Sequence, residues 1–491
     1  MKKFIYILSF LLIIPISFIL VACDNNSNPE KASEGFTFEL SLDMNSYTIS
    51  GIGDCTDRDI VFPSSYNGLP IIAIKKEAFK NNTGIQAITI PDTIKSVGEN
   101  AFSNCSNLKI INVIGSKIYY DSFDNCKHIE KVKIDNIDNW CSSIFSSPKA
   151  NPLSYGAKLF ENDSEITALS TNSNIGNYAF YNYKMLNELN LTSGYAKIGI
   201  SAFENNDALK NIYLEGKIIA DYNAFYNCIN VEKVFVNNLT LWTQSTFQNQ
   251  TSNPIYYSEN LYSGNNEVKE ISIETSSLSK YLFINCKSIE DINIVGNIYN
   301  IGRDAFYGCS SIKNIKINKL SSWLNVQLEN LYSNPTYGVN NVYVNDTLIT
   351  ELIIPEGISK INAYQFFGWK NIEKICIPQT VQEIEIGAFG GLNQLQEITI
   401  PFIGKLASEE YYPTDKAKYF HFGYMFGDIE YEKSYHQSGY NVWYYVEYNF
   451  YIPLSLETIY ITQGNSIDDY ISNNFSSIDS DKENYIKYVK K

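Results

Sequence analysis

IQAITIPDTIKSVGENAFSNC, residues 85–105, holds the pattern on which this chain is built. Its first, fourth and sixth residues, Ile85, Ile88 and Ile90, are apolar, and Ile88 and Ile90 alternate with polar neighbours as a half-buried strand requires. The same opening, written L-x-x-I-x-I, recurs at Leu108, Ile129, Ile166, Leu186, Leu209, Val231, Val268, Ile289, Ile312, Ile349, Ile372, Leu395 and Leu456, fourteen times in all. Most starts lie 20 to 23 residues apart, the period of a solenoid in which each unit adds one strand to a parallel sheet. One unit cannot stand alone. Four or five buried side chains at about 1.5 to 3 kcal/mol each do not offset the ordering of about 22 residues at about 1 to 2 kcal/mol each. Stacking is therefore obligatory, and fourteen strands at about 4.8 Å spacing make one elongated domain about 65 Å long.

Ahead of most strands stands an Ala-Phe pair, as at Ala78-Phe79, Ala101-Phe102, Ala179-Phe180, Ala202-Phe203, Ala224-Phe225, Ala305-Phe306 and Ala388-Phe389, which reads as a core plug. Several units continue to a cysteine three residues after the phenylalanine: Cys105, Cys126, Cys228, Cys286 and Cys309. A small thiol suits a tight turn there. Three gaps, from Ile129, Val231 and Ile312 to the next start, are 37 residues each. Each has a Trp twelve residues before an Asn-Pro proline (Trp140 and Pro152, Trp242 and Pro254, Trp323 and Pro335). Asn-Pro sets a turn and Trp supplies a large plug, so these gaps read as longer coils with an added flap rather than as ligand pockets.

With Ile-Pro after the strand, then Val-Gly, then Ala-Phe-x-x-Cys in fixed order, the chain resembles the BspA-type leucine-rich repeat proteins from about residue 47 to 461. The resemblance implies a mainly β leucine-rich-repeat solenoid of about 14 coils with one continuous parallel sheet and short helical turns. It also implies a secreted or surface-bound bacterial protein, adhesin-like and without enzymatic activity. Tyr183, Asn206, Trp369 and Leu392 replace the cysteine in their units, which argues against a chemical role for that position.

Residues 1–23 run two lysines, an apolar stretch interrupted by Pro15, and then Leu20-Val21-Ala22-Cys23. This reads as a secretory signal of residues 1–22, and the quartet resembles the lipobox of bacterial lipoproteins, which implies lipid attachment at Cys23. Two acyl chains at about 0.8 kcal/mol per buried methylene hold a protein on a membrane durably. A polar tether, 23–35, follows, then a lead-in or cap over 36–76, repeats over 77–400, an insertion over 401–453 and a degenerate last repeat with tail over 454–491. The expected location is outside the cell, lipid-anchored to the outer face of the membrane.

The formal charge of −15 repels polyphosphate, and Arg58 and Arg303 are the only arginines, so nucleic acid is not an expected partner. Hydrophobic residues at 44% and charged ones at 19% make a foldable chain, not a disordered one. Nine cysteines in an exported protein invite a disulfide reading, but their spacing is the coil period, so they read as stacked buried thiols. No C-x-x-C occurs and the histidines are His128, His421 and His436 alone, so no metal, cofactor or nucleophile–imidazole pair is expected. Glu409-Glu410 and Asp468-Asp469 are neighbours in sequence and do not face each other across a sugar as glycosidase carboxylates must.

Two surfaces could recognise a partner. The residue between the fourth and sixth positions of each strand faces outward: Thr89, Asn112, Lys133, Ser170, Asn190, Tyr213, Phe235, Ser272, Asn293, Lys316, Ile353, Cys376, Thr399 and Tyr460. Tyr213 and Phe235 are neighbours in that row, either a contact patch or an aromatic ladder with no partner. The second surface is the 61-residue gap from Leu395 to Leu456, dense in aromatics including Trp443, Tyr444 and Tyr445, either a recognition surface or a β-hairpin flap over the last coils. The tail beyond residue 462 caps the array as a helix or stays loose. Adhesion to a host matrix or cell-surface protein or glycan is the leading function. A surface coat or spacer is the alternative, and a solute-binding lipoprotein, which needs a cleft between two lobes, is the third.

Overall fold

The computed structural model describes residues 31–339, 341–405, 421–441, 446–462 and 487–490. Cys23 and Trp443, Tyr444 and Tyr445 lie outside them, as do the signal, most of the tether and most of the tail.

The fourteen strand starts all lead into parallel strands, in register from coil to coil. In the coil that begins at Ile85, the strand Ala87–Ile90 is followed by the short strand Ser96–Val97 on a second sheet, then by the Ala101-Phe102 loop and the Cys105 turn. Ile88, Ile90, Ile94, Val97, Ala101, Phe102 and Cys105 are all fully buried, so every apolar position of the repeat points into one continuous core. The array opens with an antiparallel hairpin, Thr37–Leu40 against Tyr47–Gly51. The strand Asp59–Val61 then starts the main row by pairing with Ala87–Ile90.

The solenoid is as the sequence predicts, with one difference. The main row is divided into four parallel segments rather than running as one sheet, and the second row is divided with it. Each break falls in a 37-residue gap. Such a gap is not one long coil but a coil plus a hairpin: Lys131–Ile134 pairs in parallel with Lys158–Glu161, which then turns back on Ser164–Glu165. The pattern repeats at Leu261–Ser263 with Asn266–Glu267 and at Asn341–Val344 with Thr347–Leu348. Asn162 and Asp163 (φ 48° and 61°) and Asn345 and Asp346 (φ 49° and 57°) take the left-handed conformations of a type I′ turn. The returning strand occupies the sheet edge, so the next coil starts a new segment.

Residues 434–453 contain an antiparallel hairpin, Ser434–Asn441 against Val446–Pro453, whose Phe450 and Ile452 are buried. At the far end, Lys487–Lys490 pairs in parallel with Thr458–Ile461, which corrects the expectation of a helical or loose end for those four residues.

Candidate functional site

The turn before each strand repeats one arrangement. A residue with left-handed backbone precedes the cysteine position, among them Asn104 (φ 60°), Asn125 (62°), Asn205 (63°) and Asn227 (59°). Short polar side chains tolerate that conformation, which is why Asn recurs there. The cysteine thiols point inward and bond the phenylalanine carbonyl of the preceding coil: Cys105 to Phe79 (3.1 Å), Cys126 to Phe102 (3.0 Å), Cys228 to Phe203 (3.0 Å) and Cys309 to Phe283 (3.0 Å). Burial pushes the thiols of Cys105, Cys126 and Cys228 up to about 12. The eight described cysteines are all free, so stacked coils are not bridged among them. The phenylalanines stack face to face beneath, with Phe79, Phe102 and Phe123 at 5.2 and 5.5 Å.

At the segment breaks, side chains replace lost main-chain pairing. The Trp of each long coil sits on a short helix, Ile137–Cys141, Leu239–Trp242 or Leu320–Trp323, and is fully buried. The Trp140 indole donates to the Ala179 carbonyl across the first break (2.9 Å) and Trp323 to Gln365 across the third (2.7 Å). Trp242 has no such acceptor. The Asn of each Asn-Pro is also buried and donates across the same breaks: Asn151 to Tyr178 (2.6 Å), Asn253 to Tyr281 (2.8 Å) and Asn334 to Tyr364 (2.7 Å). The bland expectation for these gaps, a plug and a turn, is thus joined by a stitching role that spacing did not reveal.

On the outer face, Tyr213 and Phe235 are stacked, with ring centroids 4.6 Å apart and planes 4° from parallel. The row extends further than the repeat pattern suggests. Phe235 pairs in register with Tyr262, 5.3 Å away, so three rings form the ladder, and the Lys233 ammonium lies 5.5 Å from the Tyr262 ring. Phe160 occupies the same outward position at the end of the first segment, with Lys131 over its ring at 4.4 Å, and Tyr343 does so at the end of the third. These three aromatics escaped the sequence pattern because their strands lack L-x-x-I-x-I. Their signal was a second strand 27 residues after the regular one, followed by an Asn-Asp or Gly-Asn turn. Of the expected row, Ile353 is well exposed at 56%, whereas Thr399 is covered at 6%.

Clefts indent the array, and two of them are lined by described residues. One, of about 620 Å³, lies at the first break between Ile144 and the polar loop carrying Asn172, Ser173 and Asn174, with Lys197 and Asp221 on its rim. The other, of about 540 Å³, lies beside the turn at Gly308 and is lined by Tyr307, Tyr332 and Tyr337. No group of three metal-ligating side chains occurs among the described residues.

The repeat model described as the BspA type leucine rich repeat region matches six copies, over residues 54–155, 154–268, 256–332 and 338–433. The chain belongs to the BspA-type leucine-rich repeat family. Solved structures similar to this BspA-type protein include a leucine-rich repeat protein from Bacteroides ovatus, 19% identical over 75% of this chain and 94% of that one, TM-score 0.40. A leucine rich cell surface protein from Faecalibacterium prausnitzii is 17% identical over 75% and 93%, TM-score 0.28. The pneumococcal vaccine antigen PcpA is 14% identical over 94% and 98%, TM-score 0.31. At these identities the likeness is one of repeat fold alone. A comparison with curated proteins finds no match.

Proposed function

We propose that this BspA-type protein is a lipid-anchored, non-catalytic surface protein that recognises a protein or glycan through its outward strand row. The observation that carries the reading is the ladder Tyr213, Phe235 and Tyr262 on a sheet whose register fixes all three rings. Aromatics held by a rigid sheet lose little side-chain entropy on binding, and the neighbouring Lys233 supplies a charge. The family match supports the reading. Attachment through Cys23 rests on the lipobox resemblance.

The test is binding of the chain beyond Cys23 to extracellular matrix proteins, mucins and glycans, beside Tyr213→Ser/Phe235→Ser/Tyr262→Ser and a deletion of residues 413–448. Saturable binding lost in the triple variant supports the ladder. Loss in the deletion alone moves recognition to the aromatic insertion. No binding by a folded protein favours the coat or spacer role. Incorporation of labelled palmitate that disappears in Cys23→Ala tests the anchor.

A further inference from the structure

In three of the four segments a tyrosine plugs the turn of a terminal coil. The Tyr155 hydroxyl accepts from the Asn125 backbone N–H (3.1 Å), and the Tyr257 hydroxyl accepts from that of Asn227 (2.8 Å). At the end of the fourth segment the Tyr431 hydroxyl lies beside the equivalent Gly391 backbone N–H and donates to the Tyr451 carbonyl (2.7 Å). Tyr155 and Tyr257 each lie fifteen residues after the Trp of their long coil, Trp140 and Trp242. Fifteen residues after Trp323 stands Gly338, and the turn residue equivalent to Asn125 and Asn227 is Gly308.

The third segment therefore keeps the socket and lacks the plug. The Gly308 N–H has no acceptor among the described residues. Phe306 is 6% exposed where Phe123 and Phe225 are fully covered, Ile312 is 8% exposed where Ile129 and Val231 are 3%, and Cys309 is partly exposed where Cys126 and Cys228 are buried. The vacated space is the 540 Å³ cleft. Tyr307, Tyr332 and Tyr337 wall it edge to face at 4.9 and 5.4 Å, and the Lys287–Glu259 ion pair (2.6 Å) stands at its side. A volume of this size holds an aromatic ring with polar groups to orient it.

We propose that this cleft receives a tyrosine side chain from another polypeptide, whose phenol oxygen accepts the Gly308 N–H as Tyr155 and Tyr257 accept the equivalent bonds in their own segments. The site is separate from the ladder on the strand row and does not depend on it. Its occupant is set by what fills the matching positions of the same molecule: a flat ring with an acceptor at its tip.

The test is equilibrium dialysis of the full chain against Gly-Gly-Tyr-Gly-Gly and its Phe counterpart. One tyrosine peptide is expected to bind, with the Phe peptide about fivefold weaker for want of the hydroxyl. Gly338→Tyr is expected to abolish binding by supplying the plug from within. Tyrosines already occupy left-handed backbone at Tyr178, Tyr281 and Tyr364, so that substitution has precedent in this chain. Tyr257→Gly is expected to open a second socket and raise the number of peptides bound from one to two. No binding, equal affinity for the Phe peptide, or binding unchanged in Gly338→Tyr, its fold checked by circular dichroism, would overturn the proposal.

Discussion

The Asn206 side chain donates to the Phe180 carbonyl at 2.6 Å, the bond that the Cys228 thiol makes to Phe203 in the next coil. Asn206 is wholly buried and its Oδ1 has no partner, an unsatisfied acceptor that a thiol does not bring. Asn206→Cys is therefore expected to raise stability by about 1 kcal/mol, and Cys228→Asn to lower it by about 1 to 3 kcal/mol, read from urea denaturation midpoints. An Asn206→Cys variant that is less stable than the parent would show that the orphaned oxygen carries no penalty.

Trp140 and Trp242 occupy equivalent places but differ in one bond. Trp140→Phe removes the donor to Ala179, whereas Trp242→Phe removes an indole N–H that is buried without an acceptor. Both lose ring volume, so the first is expected to be more destabilising than the second by about 1 to 3 kcal/mol. Thermal unfolding of the pair decides it, and equal losses would refute the distinction.

The solenoid was legible because its signals are local and repeated: the Ile88/Ile90 alternation, the Phe102 plug and the Asn104 turn each recur once per coil. The outward position of Tyr213 and Phe235 follows from the same alternation. Tyr262 and Phe160 were not legible, since the hairpins that place them interrupt the period. The stitching by Asn151 and Trp140 was hidden for another reason. Its acceptors, Tyr178 and Ala179, lie 27 and 39 residues away in sequence, and nothing in spacing shows which carbonyls a broken sheet leaves open.

Asn151, Asn253 and Asn334 link segments that no strand pairing joins. Replacing any of them with Ala leaves buried carbonyls short of a donor, at about 1 to 3 kcal/mol. In a one-dimensional array such a loss falls on one interface, so unfolding is expected to split into two resolvable transitions in calorimetry. A single transition that merely shifts would mean that core packing alone couples the segments.

Lys117 is 2% exposed, with its ammonium bonded to the Ile114 carbonyl. Burial brings its pKa down from 10.5 to about 8, against the opposing pull of Asp92 and Asp135 and with a smaller push from Lys95. Between about pH 8 and 10.5 the unfolded chain holds the proton and the folded chain has released it, so this group makes stability rise with pH across that window. Lys117→Met is expected to gain on the order of 1 kcal/mol at pH 7 and progressively less toward pH 10. Melting temperatures of parent and variant that stay a constant interval apart from pH 7 to 10 would show that the lysine does not titrate with folding.

The three hairpins that close the segments also govern how the molecule answers a mechanical load. In a parallel sheet pulled along its stacking axis every strand–strand interface bears the same force, so the sheet parts wherever an interface is weakest. Here the hydrogen-bonded rows stop at Glu161, Ser263 and Val344, and what crosses each gap is apolar contact, side-chain bonds such as those of Trp140, Asn253 and Asn334, and isolated main-chain bonds such as Gly176 to Cys141 and Lys287 to Glu259. The second gap lacks the tryptophan bond but carries the Lys287–Glu259 ion pair instead. A chain stretched from its two ends would part at one of these gaps before a segment unravels, pay out one length of polypeptide, and leave the remaining segments folded to bear the next pull.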